Sequence, residues 1–351
     1  MNILLIGPYP PPLGGNSVHI QRLLSLLQAA HHRVKVLDIF STNHAASKPA
    51  EVLVLTGGVL RKLAKLRAAA SNTPPDTIVH IHVSAMRRFK WFAPLLLVLF
   101  WRQPKVMTIH SGSFIEQTST TWIRLYVKQI LRWFSQIIVV NEEQIQHLKT
   151  LGIPLEKIDV IPAFLPPTPD ISGIPPEITT ARGNKMLAVT SGYLTPIYHY
   201  DLLIDCIAQL DPQKYHFIFS FYNTIDPEYK AHIYGRLEQL NNVSISHDLP
   251  PNVFAGILSQ SDVYVRTTLT DGDAVAVREA LYFNKTVFAS DCVKRPAACH
   301  LFKTGDSQDL LRLFSDKAEN HAQQEAAETQ FQRILTVYEK AQRLAHKVEK
   351  K

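Results

Sequence analysis

Short apolar runs alternate with longer segments of helical period along almost the whole chain, and their order predicts the architecture. Asn2 to Ile6 predicts a strand, Pro8 to Asn16 a loop, Ser17 to Ala30 a helix and Arg33 to Phe40 a second strand, a βαβ opening. Further strand patterns stand at Thr77 to Val83, Lys105 to Ile109 and Gln136 to Val140, separated by helix-length segments such as Ala85 to Arg102 and Thr121 to Phe134. Between Ile161 and Lys185 the prolines 162, 166, 167, 169, 175 and 176 interrupt any period, which marks an interdomain linker. A second alternating series follows. Strands are expected at Met186 to Ser191, Tyr215 to Phe221, Val243 to Ser246, Val263 to Arg266 and Thr286 to Ala289. Helices are expected at Asp201 to Leu210, Pro227 to Leu240, Pro251 to Ser259 and Ala276 to Phe283, and Ser307 to Lys351 is helical in pattern. Such alternation calls for parallel sheets covered on both faces by helices. The expectation is an α/β chain of two Rossmann-like domains facing a central cleft, with ligands at the carboxyl ends of the strands.

Length supports two domains, since 351 residues exceed one ordinary core and fit two of roughly 150 residues each. The boundaries read as 1–165, a linker at 166–185, 186–320 and a terminal helix at 321–351. Hydrophobic residues at 46% and charged residues at 19% describe a chain with a large core, not a disordered one. Cys206, Cys292 and Cys299 lack metal-ligand spacing, and their odd number argues against a disulfide framework, so a reduced cytoplasmic protein is expected. The N-terminus has no charged lead or small-residue cleavage site and reads as a first strand. Phe89 to Trp101 falls short of the roughly 20 apolar residues a spanning helix needs and reads as a buried or interfacial helix.

Net charge is +7. Much of the excess lies in Arg61 to Arg67 and in Arg87 to Phe92, where cations mix with Leu, Trp and Phe. Two readings stand together: peripheral contact with an anionic membrane at the inner face of the plasma membrane, and a solvated helix face beside a core stripe. No nucleic-acid module accompanies the charge.

The candidate chemistry centres on Thr270-Asp271-Gly272-Asp273-Ala274-Val275-Ala276-Val277-Arg278-Glu279, a loop with acids at both ends running into an apolar helix. Carboxylates suit paired sugar hydroxyls, which donate to them. The plainer reading is a helix capped by Asp271 or Asp273 with Glu279 in solvent. Gly14-Gly15 precedes the first helix, where small residues let backbone approach a ligand and the helix N-terminus favours an anion; a simple turn is the alternative. His110 ends the Lys105 to Ile109 strand and points from the sheet toward the cleft. His80 and His82 share a strand face, with no carboxylate or third ligand apparent, and read as cleft or core residues and not as metal ligands.

The segment from Asp271 to Pro296 resembles the donor-site signature of retaining glycosyltransferases of family 4, the GT-B fold, in which two acids are separated by seven residues. Here the first is Asp271 where the family usually has Glu. The Gly14-Gly15 loop resembles the family's loop near the donor phosphates and acceptor, and His110 its histidine contacting the transferred sugar. The resemblance covers most of the chain. It implies transfer from a nucleotide-diphosphate sugar to a glycan or lipid-linked acceptor, in bacterial surface-polysaccharide synthesis, with no metal and no cofactor beyond the donor. It also implies a terminal helix that crosses back to the first domain. Glu279 would hold the ribose, Asp271 with the backbone around Gly272 and Asp273 the sugar, and His110 the sugar as well. The sequence departs from the pattern after Gly192, where Tyr193 and Tyr198 replace the usual Arg and Lys of the diphosphate grip. Arg266, Lys294 and Arg295 are the substitutes available, Arg266 foremost, with an ion pair to Asp271 or Asp273 as the competing role for it. The rivals are a non-catalytic scaffold subunit of the same fold and a GT-B sugar-nucleotide epimerase.

Overall fold

The computed structural model describes residues 1–11, 13–39, 48–83, 86–111, 114–118, 120–224, 226–271, 274–315 and 327–349. The chain divides into two compact units, Met1–Leu165 with the segment from Glu328 on, and Pro166–Ala327.

The first unit begins with β1 (Asn2–Ile6), α1 (Gly15–Ala29), β2 (Arg33–Asp38), β3 (Val52–Val54), α2 (Val59–Ser71), β4 (Ile78–Val83) and α3 (Met86–Leu99). It continues with β5 (Lys105–Ile109), α4 (Phe114–Gln117), α5 (Thr121–Arg132), β6 (Gln136–Val139), α6 (Glu142–Thr150) and β7 (Ile158–Val160). The strands form one sheet in the order β3-β2-β1-β4-β5-β6-β7, and every pairing is parallel. Every residue of β4 and β5 is buried, as a parallel sheet covered on both faces requires. One face packs against α2, α3, α5 and α6 through residues such as Leu66, Leu96, Leu131 and Leu148.

The second unit holds α7 (Pro176–Arg182), β8 (Met186–Leu194), α8 (Tyr200–Ile207), β9 (Tyr215–Thr224), α9 (Pro227–Leu237), β10 (Val243–His247) and α10 (Pro251–Gln260). After these come β11 (Val263–Arg266), α11 (Val275–Tyr282), β12 (Thr286–Ser290), β13 (His300–Phe302) and α12 (Ser307–Ser315). Its sheet has the order β10-β9-β8-β11-β12-β13, again with parallel pairings. α8, α9 and α12 cover one face, and α7, α10 and α11 the other. The last helix, α13 (Ala327–Glu349), lies with α1 on the second face of the first sheet, where Ile334, Val337 and Tyr338 join Leu23 and Leu27.

The expected elements are present, most within a few residues of their boundaries. The differences have physical causes. Three-residue β3, β7 and β13 carry too short a pattern to stand out. The proline-rich stretch contains α7, whose Pro176 sits at a helix start, where its missing N–H costs nothing. That stretch also packs as part of the second unit. Ile178 joins the core beside Phe254 and Ile257, and Asp170 N donates to Asn252 O at 2.8 Å. Among the described residues no helix is long and apolar enough to cross a membrane.

Candidate functional site

At the carboxyl edge of the first sheet, the loop after β1 leads into α1, with Gly14 as its N-cap in an extended conformation that any residue adopts. Ser17 Oγ donates to Gly14 O at 3.0 Å. Both polar atoms of the Asn16 side chain are buried with no hydrogen-bond partner. Such an amide carries a desolvation penalty that a ligand or water would relieve. Gly7 makes room for this arrangement, since a Cβ there would lie 2.4 Å from Ile20 Cδ1 and 3.2 Å from His82 Cβ.

Four histidines gather behind that loop. His80 and His82 project to one side of β4, as the pleat dictates. His80 is held in the core, Nδ1 with the Tyr338 hydroxyl and Nε2 with Thr108 Oγ1, each at 2.7 Å. His82 Nδ1 bonds His110 Nε2 at 3.1 Å, and the two rings stack at 17°. His19, from α1, meets His110 edge-on at 4.8 Å. His19 Nδ1 donates to Ala163 O at 2.6 Å, which leaves its Nε2 as a lone pair. Burial is the main cause that lowers every one of these pKa values, His19 to about 4 and His80 to about 3, with His82 and His110 well below the ordinary range. At neutral pH the cluster is uncharged and works through hydrogen bonds. Ligand atoms of His19, His82 and His110 lie within 4.8 Å of one another, close enough for one metal ion. No carboxylate belongs to that set; His82 Nδ1 and His110 Nε2 are bonded to each other, while His82 Nε2 is buried with no hydrogen-bond partner among the described residues.

In the second unit, three adjacent strands, β8, β11 and β12, bring their carboxyl ends together. Arg266, the last residue of β11, donates from Nε and Nη2 to the two oxygens of Asp271 at 2.9 and 3.1 Å and from Nη1 to Ser191 O at 3.1 Å. Arg295, beyond β12, adds Nη1 to Asp271 Oδ2 at 2.9 Å and Nη2 to Thr268 Oγ1 at 3.2 Å. Burial alone would raise the Asp271 pKa, but the two guanidiniums hold it below the ordinary carboxylate value. The Tyr198 ring lies under the Arg266 guanidinium at 4.6 Å and fills the space beside Gly192. The tyrosine that stands where a lysine was expected thus supports the arginine.

Of the two roles the sequence left open for Arg266, the ion pair with Asp271 is the one present. Arg266 is buried in a bidentate ion pair and Arg295 is paired with the same carboxylate, whereas Lys294 is exposed. Asp271 does not cap α11, whose N-cap is Ala274 without a side-chain bond. Glu279 is not solvated, being only 3% exposed on α11. Gly15 is exposed at the start of α1. Gly272 and Asp273 lie outside the described residues. Sequence reasoning assigned no role to Asn16 or His19. The adjacency of Asn16 to Gly14-Gly15 was the available signal for the first, and none existed for the second, whose partner Ala163 is distant in sequence.

Residues 13–168 match the family model described as Glycosyltransferase Family 4. No curated protein sequence matches the chain. Among solved structures, the chain is similar to HepE of Anabaena in complex with UDP-glucose, at 17% identity over 100% of both chains with a TM-score of 0.66. It is similar to sucrose-phosphate synthase of Thermosynechococcus elongatus, at 14% identity over 99% of each chain with a TM-score of 0.67. It is also similar to the lipopolysaccharide outer core galactosyltransferase WaaB, at 14% identity over 99% of this chain and 100% of that one, TM-score 0.56. These likenesses show the fold, two parallel-sheet Rossmann-like units of the GT-B class.

Proposed function

We propose that this chain is a retaining, metal-independent glycosyltransferase that moves a sugar from a nucleotide-diphosphate sugar to a hydroxyl of a glycan or lipid-linked acceptor, in bacterial surface-polysaccharide synthesis at the inner face of the plasma membrane. The observation that carries this reading is the Glycosyltransferase Family 4 match over residues 13–168, a span that contains the assembled Asn16, His19, His82 and His110. The polar cluster at the strand ends of the second sheet supports it.

The residues take these roles in the reading. Glu279 binds the ribose hydroxyls of the donor. Asp271, held by Arg266, Arg295 and Thr268, acts less as a contact to sugar hydroxyls than as the support of the loop entering α11. Lys294 and the amides at helix starts stabilise the departing diphosphate. His110, neutral through burial, hydrogen-bonds a sugar hydroxyl and does not act as a cation. The bond from the anomeric carbon to the diphosphate oxygen breaks, the bond to the acceptor oxygen forms on the same face, and the acceptor proton leaves on the diphosphate.

A second reading has one observation in its favour. Both arginines available to grip a diphosphate are engaged with Asp271, as a non-catalytic scaffold would tolerate. Thermal stability with a panel of nucleotides and sugar nucleotides tests the binding step, starting from UDP and UDP-glucose because HepE is complexed with them. A ligand-dependent rise in Tm that vanishes in Glu279→Ala supports the donor site. Binding without product from any acceptor supports the scaffold, and no rise with any nucleotide overturns the donor reading.

A further inference from the structure

α3 and α5 lie side by side on one face of the first sheet, where the Tyr126 hydroxyl donates to Lys90 O at 2.5 Å. Their inner stripes, including Ala93, Leu96, Val127 and Leu131, enter the core. Their outer stripes are apolar as well. On α3, Trp91, Pro94 and Val98 are exposed and Trp101 follows; on α5, Trp122, Leu125 and Tyr126 are exposed and Trp133 follows. Spacings of three and four residues put each set on one outward face. Trp91, Trp101, Trp122 and Trp133 are 83, 66, 67 and 68% exposed, and they are all four tryptophans of the chain. Tryptophan is highly buried on average, so four exposed on adjoining helices mark an interaction surface.

The helices of the patch carry charge of one sign. α2, α3 and α5 carry four, three and three Lys or Arg residues and not one Asp or Glu. Between the carboxyl ends of α3 and α5 an open groove of about 1000 Å³ is bordered by Trp101, Arg102, Arg132 and Trp133, and its lining holds four cations, with Lys105 and Lys157, against the one carboxylate of Asp76. The Arg102 guanidinium lies 4.8 Å over the Trp101 ring.

We propose that the α3/α5 face docks peripherally on an anionic lipid bilayer, its indoles in the headgroup layer and its cations against lipid phosphates. Indoles favour that boundary, where one edge meets hydrocarbon and the N–H meets water. A second copy of the chain is a poor occupant, because a two-fold contact through this face would set these all-cationic helices against themselves. The proposal stands on the first unit alone and does not depend on the transferase reading.

The test uses the full chain with vesicles of phosphatidylcholine alone and with added phosphatidylglycerol, followed by co-sedimentation and intrinsic fluorescence. Every indole belongs to this face, so emission reports its environment directly. Binding and a blue shift on the anionic vesicles, weakened by salt, are expected. Arg102→Gln and Arg132→Gln should each lower partitioning about fivefold, from about 1 kcal/mol per cation, and Trp91→Ser with Trp122→Ser should lower it further. All four positions are exposed, and the Tm of each variant should match the wild type. The proposal is overturned if anionic vesicles are not bound, or if these variants bind as well as the wild type. It is also overturned by a blue shift that follows protein concentration without lipid and coincides with a dimer in sedimentation velocity.

Discussion

Arg266 and Asp271 are joined by two hydrogen bonds, of 2.9 and 3.1 Å, and Arg295 donates to the same carboxylate, sharing Oδ2 with Arg266, at 2.9 Å. Removing the carboxylate leaves two buried guanidiniums facing one another. Asp271→Ala should therefore cost about 3–5 kcal/mol of stability. Arg266→Met should cost less, since Arg295 still pairs, and the double variant should lose less than the sum of the two. Urea denaturation at neutral pH measures all three; additive losses would mean that the pair is not coupled.

The histidine cluster makes stability depend on pH. The folded-state values of His19, about 4, and His80, about 3, lie below the ordinary 6.5, so between those limits the unfolded chain binds more protons. Stability is then fully present above pH 6.5 and lost as pH falls toward 4, at up to about 1.4 kcal/mol per pH unit for each histidine. Asp271 adds a loss only at lower pH, as its folded pKa is depressed. Urea midpoints from pH 7.5 to 4.5 should fall steeply, and less so in His80→Gln if that variant folds.

Gly192 has φ of +156°, and a Cβ there would lie 1.8 Å from Tyr198 Cε1. Gly192→Ala should cost about 1–3 kcal/mol by displacing the ring that supports Arg266. Tyr198→Ala in the same chain should recover part of that loss, as calorimetry can show.

Tyr338 on α13 bonds His80, and both are fully buried. Tyr338→Phe should destabilise by about 1–3 kcal/mol, because His80 Nδ1 loses its partner. An unchanged melting temperature would contradict this.

If His110 acts as a neutral hydrogen-bonding group, His110→Ala should lower kcat roughly 10- to 100-fold. The wild-type kcat should show no titration near pH 6.5, where an exposed imidazole would change charge. A pH limb at that value would count against the assignment.

The fold was legible wherever one buried apolar run ended in a clear break. β1, β5 and β11 have the bounds that their patterns predicted. α6 was not foreseen, since Ile145 and Leu148 are its only large apolar residues, and its start depends on the Asn141 side chain accepting from Gln144 N. The site was half legible. Asp271 and Glu279 stand out as candidates by type and spacing, and His110 by the family resemblance. Their partners do not: Arg295 reaches Asp271 across 24 positions only because β11 and β12 are parallel neighbours, and His80 finds Tyr338 across 258. A sequence shows which groups are present before it shows which are already engaged.

α13 completes the first core from the far end of the chain. During synthesis the apolar face formed by Leu5, Ile20, Leu27 and Val36 must wait for Phe331, Ile334 and Val337. The whole second unit is made in between, roughly ten to thirty seconds of translation at 5–20 residues per second. For that interval the nascent first unit presents an uncovered sheet face, so the last helix is where its folding is completed and where chaperone dependence should concentrate.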